Sequence, residues 1–344
     1  KHRQRKNKKE LRAVLESLER VRDEGDLLAS ERPPTLAKWL DQWLEDEVVP
    51  SLRTRTAESY ESIIRRHLKP RLGAYTLDRL REEHISGMYR DLLADGLAPS
   101  TVNRIHAVLS GALRLAHDRQ RIKRNYCRHV KPPQIVAKRQ PNPLSKEEFN
   151  LVMRAVDDTR NGVRWVLAVA TALRQSEVLG LSWDDVDLDA GLIRVTRGLH
   201  RIKGGLEFEE PKSPRSRREV PLPPALVPRL RAHREAQARD RAHAGSEWQD
   251  TGLVFVQANG QPLDRRADHR AWQRLLASLD LPARTIHDLR HTAATFLLEG
   301  DVPVRVVSEL LGHAQTRLTE DTYMKVRPSL AQRAATAMDA VLVG

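Results

Sequence analysis

The most informative segment of the sequence is TIHDLRHTAATFLLEG, residues 285–300. His287 and Arg290 are three residues apart in it, so they share one face if the segment is helical. The guanidinium of Arg290 is a planar fork of N–H donors, and the imidazole of His287 would lie beside it. Because the oxygens of a phosphate fit such a fork, the segment predicts a helix that presents a phosphate-binding pair.

A zinc site is the competing interpretation of this segment. His287 and His291 are four residues apart, a spacing that zinc ligands use on a helix. However, no glutamate follows the first histidine, and the positive charge of Arg290 would repel a cation. We therefore expect no metal, and no cofactor, since the chain also lacks a G-x-x-x-x-G-K-[ST] nucleotide loop.

A second candidate lies upstream in TALRQSEVLGLSWDDVDL, residues 171–188. Arg174 and Glu177 are again three residues apart. An isolated pair of this kind is usually an ordinary surface ion pair. Here apolar helical patterns lie on both sides, which predicts a partly buried cation that needs a carboxylate or a phosphate as its partner.

A basic loop is predicted in PKSPRSRREVPL, residues 211–222, between two strand-like runs. A lysine at a hairpin tip, Lys212, could give its proton to a leaving oxygen. Lys203, next to a Gly-Gly turn, is the rival for that role. Arg215 and Arg217 are predicted to contact an anionic partner, although an exposed basic loop without a partner is the simpler alternative.

The remaining candidates lie in HAQTRLTEDTYMKV, residues 313–326. His313 follows Leu-Gly, a helix end, so its ring can point away from the helix. Tyr323 stands in a polar run, unlike a tyrosine kept for packing. Its hydroxyl has an ordinary pKa of about 10 and needs activation to act as a nucleophile. Together the candidates supply the cations, proton donor and nucleophile that metal-free chemistry on a phosphodiester requires.

The composition favours a polyanion as partner. Lys plus Arg exceed Asp plus Glu by 59 − 46 = 13 in 344 residues, which indicates nucleic acid unless the charge is only a solvated surface. Cys127 is the single cysteine, so the chain has no intrachain disulfide and fits a reducing cytosol. No apolar run approaches the roughly 20 residues of a membrane span. We expect a cytoplasmic protein with no membrane partner.

Proline-rich linkers divide the chain. The predicted fold is multidomain and mainly α, with a helical domain followed by an α+β domain that carries a small antiparallel sheet. The predicted segments are an N-terminal basic helix at 1–30, a helical domain at 35–130, a linker at 131–142, an α+β domain at 143–328 and a tail helix at 329–344.

The helical domain has one basic side. Its last helix, PSTVNRIHAVLSGALRLAHDR, carries an apolar stripe on one face and cations on the other. Such a surface suits the sugar–phosphate backbone of DNA. The cations predicted to contact DNA are Arg104, Arg114, Arg121, Lys123, Arg124 and Arg128.

The ordered set LRQSE, PKSPRSRREVPL, HDLRH, LGH and DTY resembles the phage integrase type of the tyrosine recombinases over almost the whole chain. The resemblance implies that 35–130 is a core-binding domain, that 143–328 is the catalytic domain and that 1–30 is a remnant of an arm-binding domain. Ala172 departs from the pattern, because many members carry glycine before Leu-Arg.

The resemblance also implies roles for single side chains. Arg174 and Arg290 hold the scissile phosphate and stabilise its transition state, while His313 donates a hydrogen bond to a non-bridging oxygen. Glu177 matches an acidic position that orients the site.

Three further residues would move protons or form bonds. Tyr323 attacks phosphorus to give a 3′-phosphotyrosyl link and a free 5′ hydroxyl, in its own subunit's site or in a neighbour's. His287 contacts the phosphate and takes the tyrosine proton, and Lys212 protonates the departing 5′ oxygen.

The resemblance predicts a mobile-element integrase that acts on double-stranded DNA attachment sites. A homotetramer on two duplexes would exchange strands through a Holliday junction, with a DNA-bending host factor and an excisionase as further partners. The tail at 329–344 would pack on a neighbouring subunit or cap its own domain. The alternatives are a resolvase of the same family and, in a different class, a non-catalytic DNA-binding regulator.

Overall fold

The computed structural model describes residues 33–135, 141–210 and 217–312. The chain divides into two compact units at Lys138 and Arg139. The predicted architecture, mainly helical with a small antiparallel component, is confirmed. Across the described part of the chain, no helix is both long and apolar enough to cross a membrane. The predictions that lie outside the described residues concern 1–30, 329–344, Lys212, Arg215, His313 and Tyr323.

The first unit is a bundle of helices joined by short loops. Its α-helices are α1 (Leu36–Trp43), α2 (Val49–Ser51), α3 (Thr54–Ile63), α4 (Lys69–Leu72), α5 (Glu82–Ala94) and α6 (Pro99–Asp118). It also contains two π-helical turns and a 3₁₀ turn, at Leu44–Val48, Ile64–Leu68 and Tyr126–Arg128. Trp39 and Trp43 are buried in its core.

Helix α6 shows how the apolar pattern becomes a packed face. Pro99 stands in its first turn, where a missing N–H costs nothing. Apolar residues at helical spacing form the buried stripe, namely Val102, Ile105, Val108, Leu109, Ala112, Leu113 and Ala116. The six cations predicted to contact DNA are all exposed, on this helix or just after it. All six are therefore accessible to a partner in solution.

The two π-helical turns were not predicted. The apolar spacing of residues 56–73 is typical of one regular helix, but the backbone widens at Ile64–Leu68 before Pro70. Leu44–Val48 precedes Pro50 in the same way. A proline has no N–H to donate, and its ring clashes with the carbonyl four residues earlier. The wider turn, closed by bonds five residues apart, relieves that clash without ending the helix.

The second unit combines helices with short strands. Its α-helices are α7 (Lys146–Ala155), α8 (Val163–Thr171), α9 (Gln175–Leu179), α10 (Val227–Ala244), α11 (Arg265–Ser278), α12 (Ile286–Glu299) and α13 (Val304–Leu311). Its strands are β1 (Val186–Asp187), β2 (Leu192–Val195), β3 (Gly198–Ile202), β4 (Gly205–Glu209) and β5 (Arg218–Pro221). A capping box of Ser145 and Glu148 begins α7.

The strands form two small antiparallel sheets rather than one. The order β1–β2–β5 makes the first sheet, in which Ile193 lies opposite Val220. Strands β3 and β4 pair with each other as a hairpin, with the predicted turn at Gly204 and Gly205. Since β5 occupies the open edge of β2, the hairpin is an insertion between two paired strands.

A buried ion pair stands at the centre of the second unit. Arg164 of α8 and Asp268 of α11 are 2.7 Å apart, with side chains only 5% and 2% exposed. Trp165 also donates to Asp268, at 3.1 Å, and its ring packs against Trp272 with centroids 5.3 Å apart. Buried charges are stable only when they are paired and hydrogen-bonded, so this contact fixes α11 against α8.

Replacing Asp268 with alanine should therefore destabilise the second unit. Arg164 would be left as an unpaired buried cation, and we expect a loss of about 3–5 kcal/mol in the free energy of unfolding. Asp240→Ala is the matched control, because the Arg160–Asp240 pair is 41% and 33% exposed and should contribute at most about 1 kcal/mol. Urea unfolding followed by tryptophan fluorescence measures both, and equal losses would contradict the prediction.

Candidate active site

Arg174 lies in the turn between α8 and α9. Its side-chain Nη1 donates to Oε1 of Glu177 at 2.7 Å, and its backbone N–H donates to Oε2 of Glu177 at 2.9 Å. The two residues therefore interact as the sequence suggested, but across the start of α9 rather than along the face of a longer helix. The carboxylate satisfies an N-terminal donor of the helix and directs the guanidinium at the same time.

Ala172 explains how the chain turns at this point. It ends α8 in the left-handed region with φ of 53°, where glycine is favoured and alanine costs roughly 1–2 kcal/mol. Its carbonyl accepts a hydrogen bond from Nη1 of Arg290 at 2.8 Å. Alanine in place of glycine at position 172 therefore keeps the left-handed turn, and it keeps the carbonyl that accepts from Arg290.

Glu177 is shared by two arginines. Its Oε2 is 3.0 Å from Nη2 of Arg218, the first residue of β5, and both of these side chains are less than a tenth exposed. Burial alone would raise the pKa of this carboxyl, but Arg218 and then Arg174 outweigh burial and hold the pKa below its ordinary value. The carboxylate is thus ionised at neutral pH despite its burial.

Arg290 is buried in α12, only 3% exposed. The helix begins with a capping box, in which Asp288 accepts from the backbone N–H of Thr285 at 2.7 Å. One side of the guanidinium donates to Ala172, and the other donates to the carbonyl of Leu311. Arg290 therefore joins the end of α8 to the end of α13.

Three guanidinium groups converge on the last turn of α13. Nε of Arg218 is 3.1 Å from the carbonyl of Leu310, Nη2 of Arg290 reaches that of Leu311, and Nη2 of Arg174 is 3.3 Å from that of Gly312. Cations are favourable at a helix C-terminus, where carbonyls have no helical partner. The described chain ends here, directly before His313.

His287 lies at the start of α12 and remains exposed, with its ring in edge contact with His291 at 5.0 Å between centroids. Partial desolvation, and after it the positive charge of Arg290, lower the pKa of His287 from its ordinary value. Both effects favour the neutral imidazole, which is the form that can accept a proton.

The other predicted basic residues of this unit are on its periphery. Lys203 lies at the exposed tip of the β3–β4 hairpin. Arg217 is exposed just before β5 and is 2.7 Å from Glu210. Lys212 and Arg215 lie between these strands, outside the described residues, so Lys212 and Lys203 remain alternatives for the proton donor.

A cationic cleft of about 720 Å³ opens beside His287. The first turns of α11 supply most of its charge, with Arg265, Arg266 and Arg270 exposed. Gln175, next to Arg174, accepts from Nε of Arg265 at 2.8 Å and donates to Asp268 at 2.7 Å, linking the cleft to the active-site turn. This cleft was not predicted from the sequence, although arginines at the spacing of 266 and 270 share a helical face.

Arg218 was also missed as a site residue. In β5 it alternates with exposed Glu219 and buried Val220. Since strand side chains alternate between faces, Arg218 and Val220 lie on the same inward face, and that periodicity was the available signal.

Comparisons with known proteins identify the family of the chain. The model of the phage integrase family matches residues 137–329, and that of the N-terminal SAM-like domain of phage integrases matches residues 35–93. An integrase of Saccharopolyspora erythraea is 31% identical, covering 100% of this chain and 90% of that protein. A XerC-like tyrosine recombinase of Caldanaerobacter subterraneus is 29% identical, covering 90% and 84%.

Solved structures share the fold. The Tn1549 transposon integrase in complex with a circular intermediate DNA has a TM-score of 0.75 at 18% identity, covering 90% of this chain and 99% of that one. The lambda integrase tetramer bound to a Holliday junction has a TM-score of 0.62 at 20% identity, covering 84% and 80%. Because the family model matches more than half of the sequence and a relative above 30% identity spans all of it, the chain belongs to the phage integrase family, the tyrosine-type site-specific DNA recombinases.

Proposed function

We propose that this recombinase is a mobile-element integrase that cleaves and rejoins DNA at attachment sites through a 3′-phosphotyrosyl intermediate. The observation that carries the proposal is the convergence of Arg174, Arg290 and Arg218 on the last turn of α13, directly before His313. A phosphate bound at this point would meet several cations in a largely buried setting, where electrostatic stabilisation is strong.

The proposed reaction exchanges one phosphodiester for another. Tyr323 loses its proton to His287, whose lowered pKa favours the neutral imidazole, and its oxygen attacks phosphorus. The bond from phosphorus to the 5′ oxygen breaks, and Lys212 protonates that oxygen. Arg174 and Arg290 stabilise the charge that develops on the phosphate, with a hydrogen bond from His313. The reverse sequence, with a 5′ hydroxyl of another strand, rejoins the DNA without ATP.

The net positive charge of the site favours the transition state more than one neutral ion pair would. Glu177 offsets one of the three nearby guanidinium charges, so a positive excess remains for the phosphate. The developing negative charge of phosphoryl transfer is stabilised by such fixed cations, which need no reorganisation during the reaction.

Two surfaces are proposed to hold DNA. In the first unit it is the basic face of α6 and the residues after it, within the proposed core-binding domain at 35–130. In the proposed catalytic domain at 143–328 it is the cleft formed by Arg265, Arg266 and Arg270. Neither surface needs base contacts to bind, because cations that meet phosphates attract any sequence.

The assembly is proposed by analogy with the relatives. The lambda integrase structure is a tetramer bound to a Holliday junction, and we propose a homotetramer on two duplexes for this chain. The tail at 329–344 would pack on a neighbouring subunit, and the linker at 131–142 would join the two DNA-binding domains. A DNA-bending host factor and an excisionase would set the direction of the reaction.

Nicked suicide DNA that carries the element's attachment site should trap a covalent protein–DNA adduct that resists SDS. Tyr323→Phe should abolish the adduct, because the variant lacks the attacking oxygen, and it should still bind the DNA. If the wild type binds the site specifically but forms no adduct, the chain is a DNA-binding regulator. If Tyr323→Phe still forms the adduct, the nucleophile is another residue.

A 5′-bridging phosphorothiolate identifies the proton donor. The sulfur leaves without protonation, so a variant that lacks the general acid should cleave this substrate at close to the wild-type rate. We expect recovery for Lys212→Ala, which should be slow on ordinary DNA, whereas Lys203→Ala should show no such contrast. Recovery with Lys203→Ala alone would reverse the assignment.

If the cationic cleft contacts DNA, its arginines should contribute to the salt dependence of DNA affinity. Each phosphate contact contributes roughly 0.9 to the slope of log affinity against log salt, so Arg266→Ala with Arg270→Ala should lower the slope by about two. Arg231→Ala is the matched control, because Arg231 pairs with Asp189 at 2.6 Å and lies outside the cleft. An unchanged slope in the double variant would exclude the cleft from DNA contact.

A further inference from the structure

Arg218 is built into the same contacts as the residues proposed to bind the phosphate. Its side chain is 9% exposed, with one donor 3.0 Å from Glu177 and another 3.1 Å from the carbonyl of Leu310. A Cβ added to Gly312 would come within 3.2 Å of Nη1 of Arg218, so the guanidinium packs directly on the end of α13.

The contacts of Glu177 are divided between two cations. Oε1 is 2.7 Å from Nη1 of Arg174 and 3.5 Å from Nη1 of Arg218, while Oε2 is 3.0 Å from Nη2 of Arg218 and 2.9 Å from the backbone nitrogen of Arg174. The second terminal nitrogen of Arg174 points elsewhere, to the carbonyl of Gly312 at 3.3 Å. Arg174 thus meets the carboxylate through one side-chain nitrogen only.

Loss of Arg218 would change that division. Glu177 would remain as a buried carboxylate with Arg174 as its cation, and arginine–carboxylate pairs favour two parallel hydrogen bonds. Both terminal nitrogens of Arg174 would turn toward Glu177, and one negative charge would offset the whole of its positive charge. A phosphate would then find fewer donors and less charge at this point.

We propose that Arg218 is a positioning residue, which holds Glu177 so that Arg174 keeps a donor and its charge for the scissile phosphate. The proposal rests on the proposed function, since it assigns a task within that reaction. It differs from a purely architectural role, in which Arg218 would only tie β5 to α13. The two roles predict different responses to the removal of Glu177.

The test is a set of four variants measured as single-turnover cleavage of suicide DNA, with DNA affinity measured in parallel. They are Arg218→Ala, Arg218→Lys, Glu177→Gln and the double variant Arg218→Ala/Glu177→Gln. Arg194→Ala is the matched control, because Arg194 is an exposed arginine on the neighbouring strand β2 and pairs with Glu219 at 3.6 Å.

We expect Arg218→Ala to cleave roughly 10- to 100-fold more slowly, as is typical when a group that orients a reacting side chain is lost. DNA affinity should fall much less than the cleavage rate. Arg218→Lys should recover part of the rate, because it keeps the positive charge, and it also gives a readout if the alanine variant fails to fold. Arg194→Ala should cleave at the wild-type rate.

The decisive comparison is between Arg218→Ala and the double variant. If both terminal nitrogens of Arg174 pair with Glu177 once Arg218 is absent, then Glu177→Gln should restore part of the rate that Arg218→Ala loses. A double variant that is no faster than Arg218→Ala would overturn the proposal and leave only an architectural role. Equal rates for wild type and Arg218→Ala would also overturn it.

Acid pH provides a second readout. The charged groups that face Glu177 are Arg174 from the α8–α9 turn and Arg218 from β5. Without Arg218, only Arg174 opposes the effect of burial, so the pKa of Glu177 rises. The carboxyl then becomes neutral as pH falls, and Arg174 no longer pairs with it. The ratio of wild-type to Arg218→Ala rates should therefore shrink at lower pH, whereas a constant ratio would contradict the proposal. Absence of an adduct from the wild type would instead refute the proposed function itself.

Discussion

The carboxylate of Glu177, shared by Arg174 and Arg218, is the contact on which the site depends. A carboxylate that is 8% exposed is costly to bury unless cations and N–H donors surround it. Those partners come from a turn between two helices and from a strand that is about 40 residues away in sequence. The same two arginines also donate to backbone carbonyls at the end of α13. One buried charge therefore brings three separate segments to a common point.

This arrangement requires one particular register between β5 and β2. Arg218 reaches Glu177 because β5 pairs with β2 in the register that sets Val220 opposite Ile193, with both of these side chains in the core. A shift by one residue would exchange the two faces of the strand, so Glu219 would enter the site in place of Arg218. The hydrophobic core thus fixes the register, and the register fixes the charge at the site.

Much of this could be predicted from local sequence, and the exceptions have physical causes. The stripe of α6, the capping box of Ser145 and the turn at Gly204 are local patterns, and local patterns are what a sequence displays. The π-helical turn before Pro70 depends on a backbone clash, and the apolar periodicity of the sequence does not reveal such a clash. Arg218 could be placed only once the pairing of β2 with β5 was known, because that pairing decides what its inward face meets.

The β3–β4 hairpin offers a practical consequence for spectroscopy. It is inserted between paired strands, and a Cβ at Gly204 would meet no atom within 4 Å. The chain's one native thiol, Cys127, is only 1% exposed. A cysteine placed at Gly204 would thus be the accessible thiol among the described residues, and a fluorophore there would report on the second unit without disturbing the register of the neighbouring sheet.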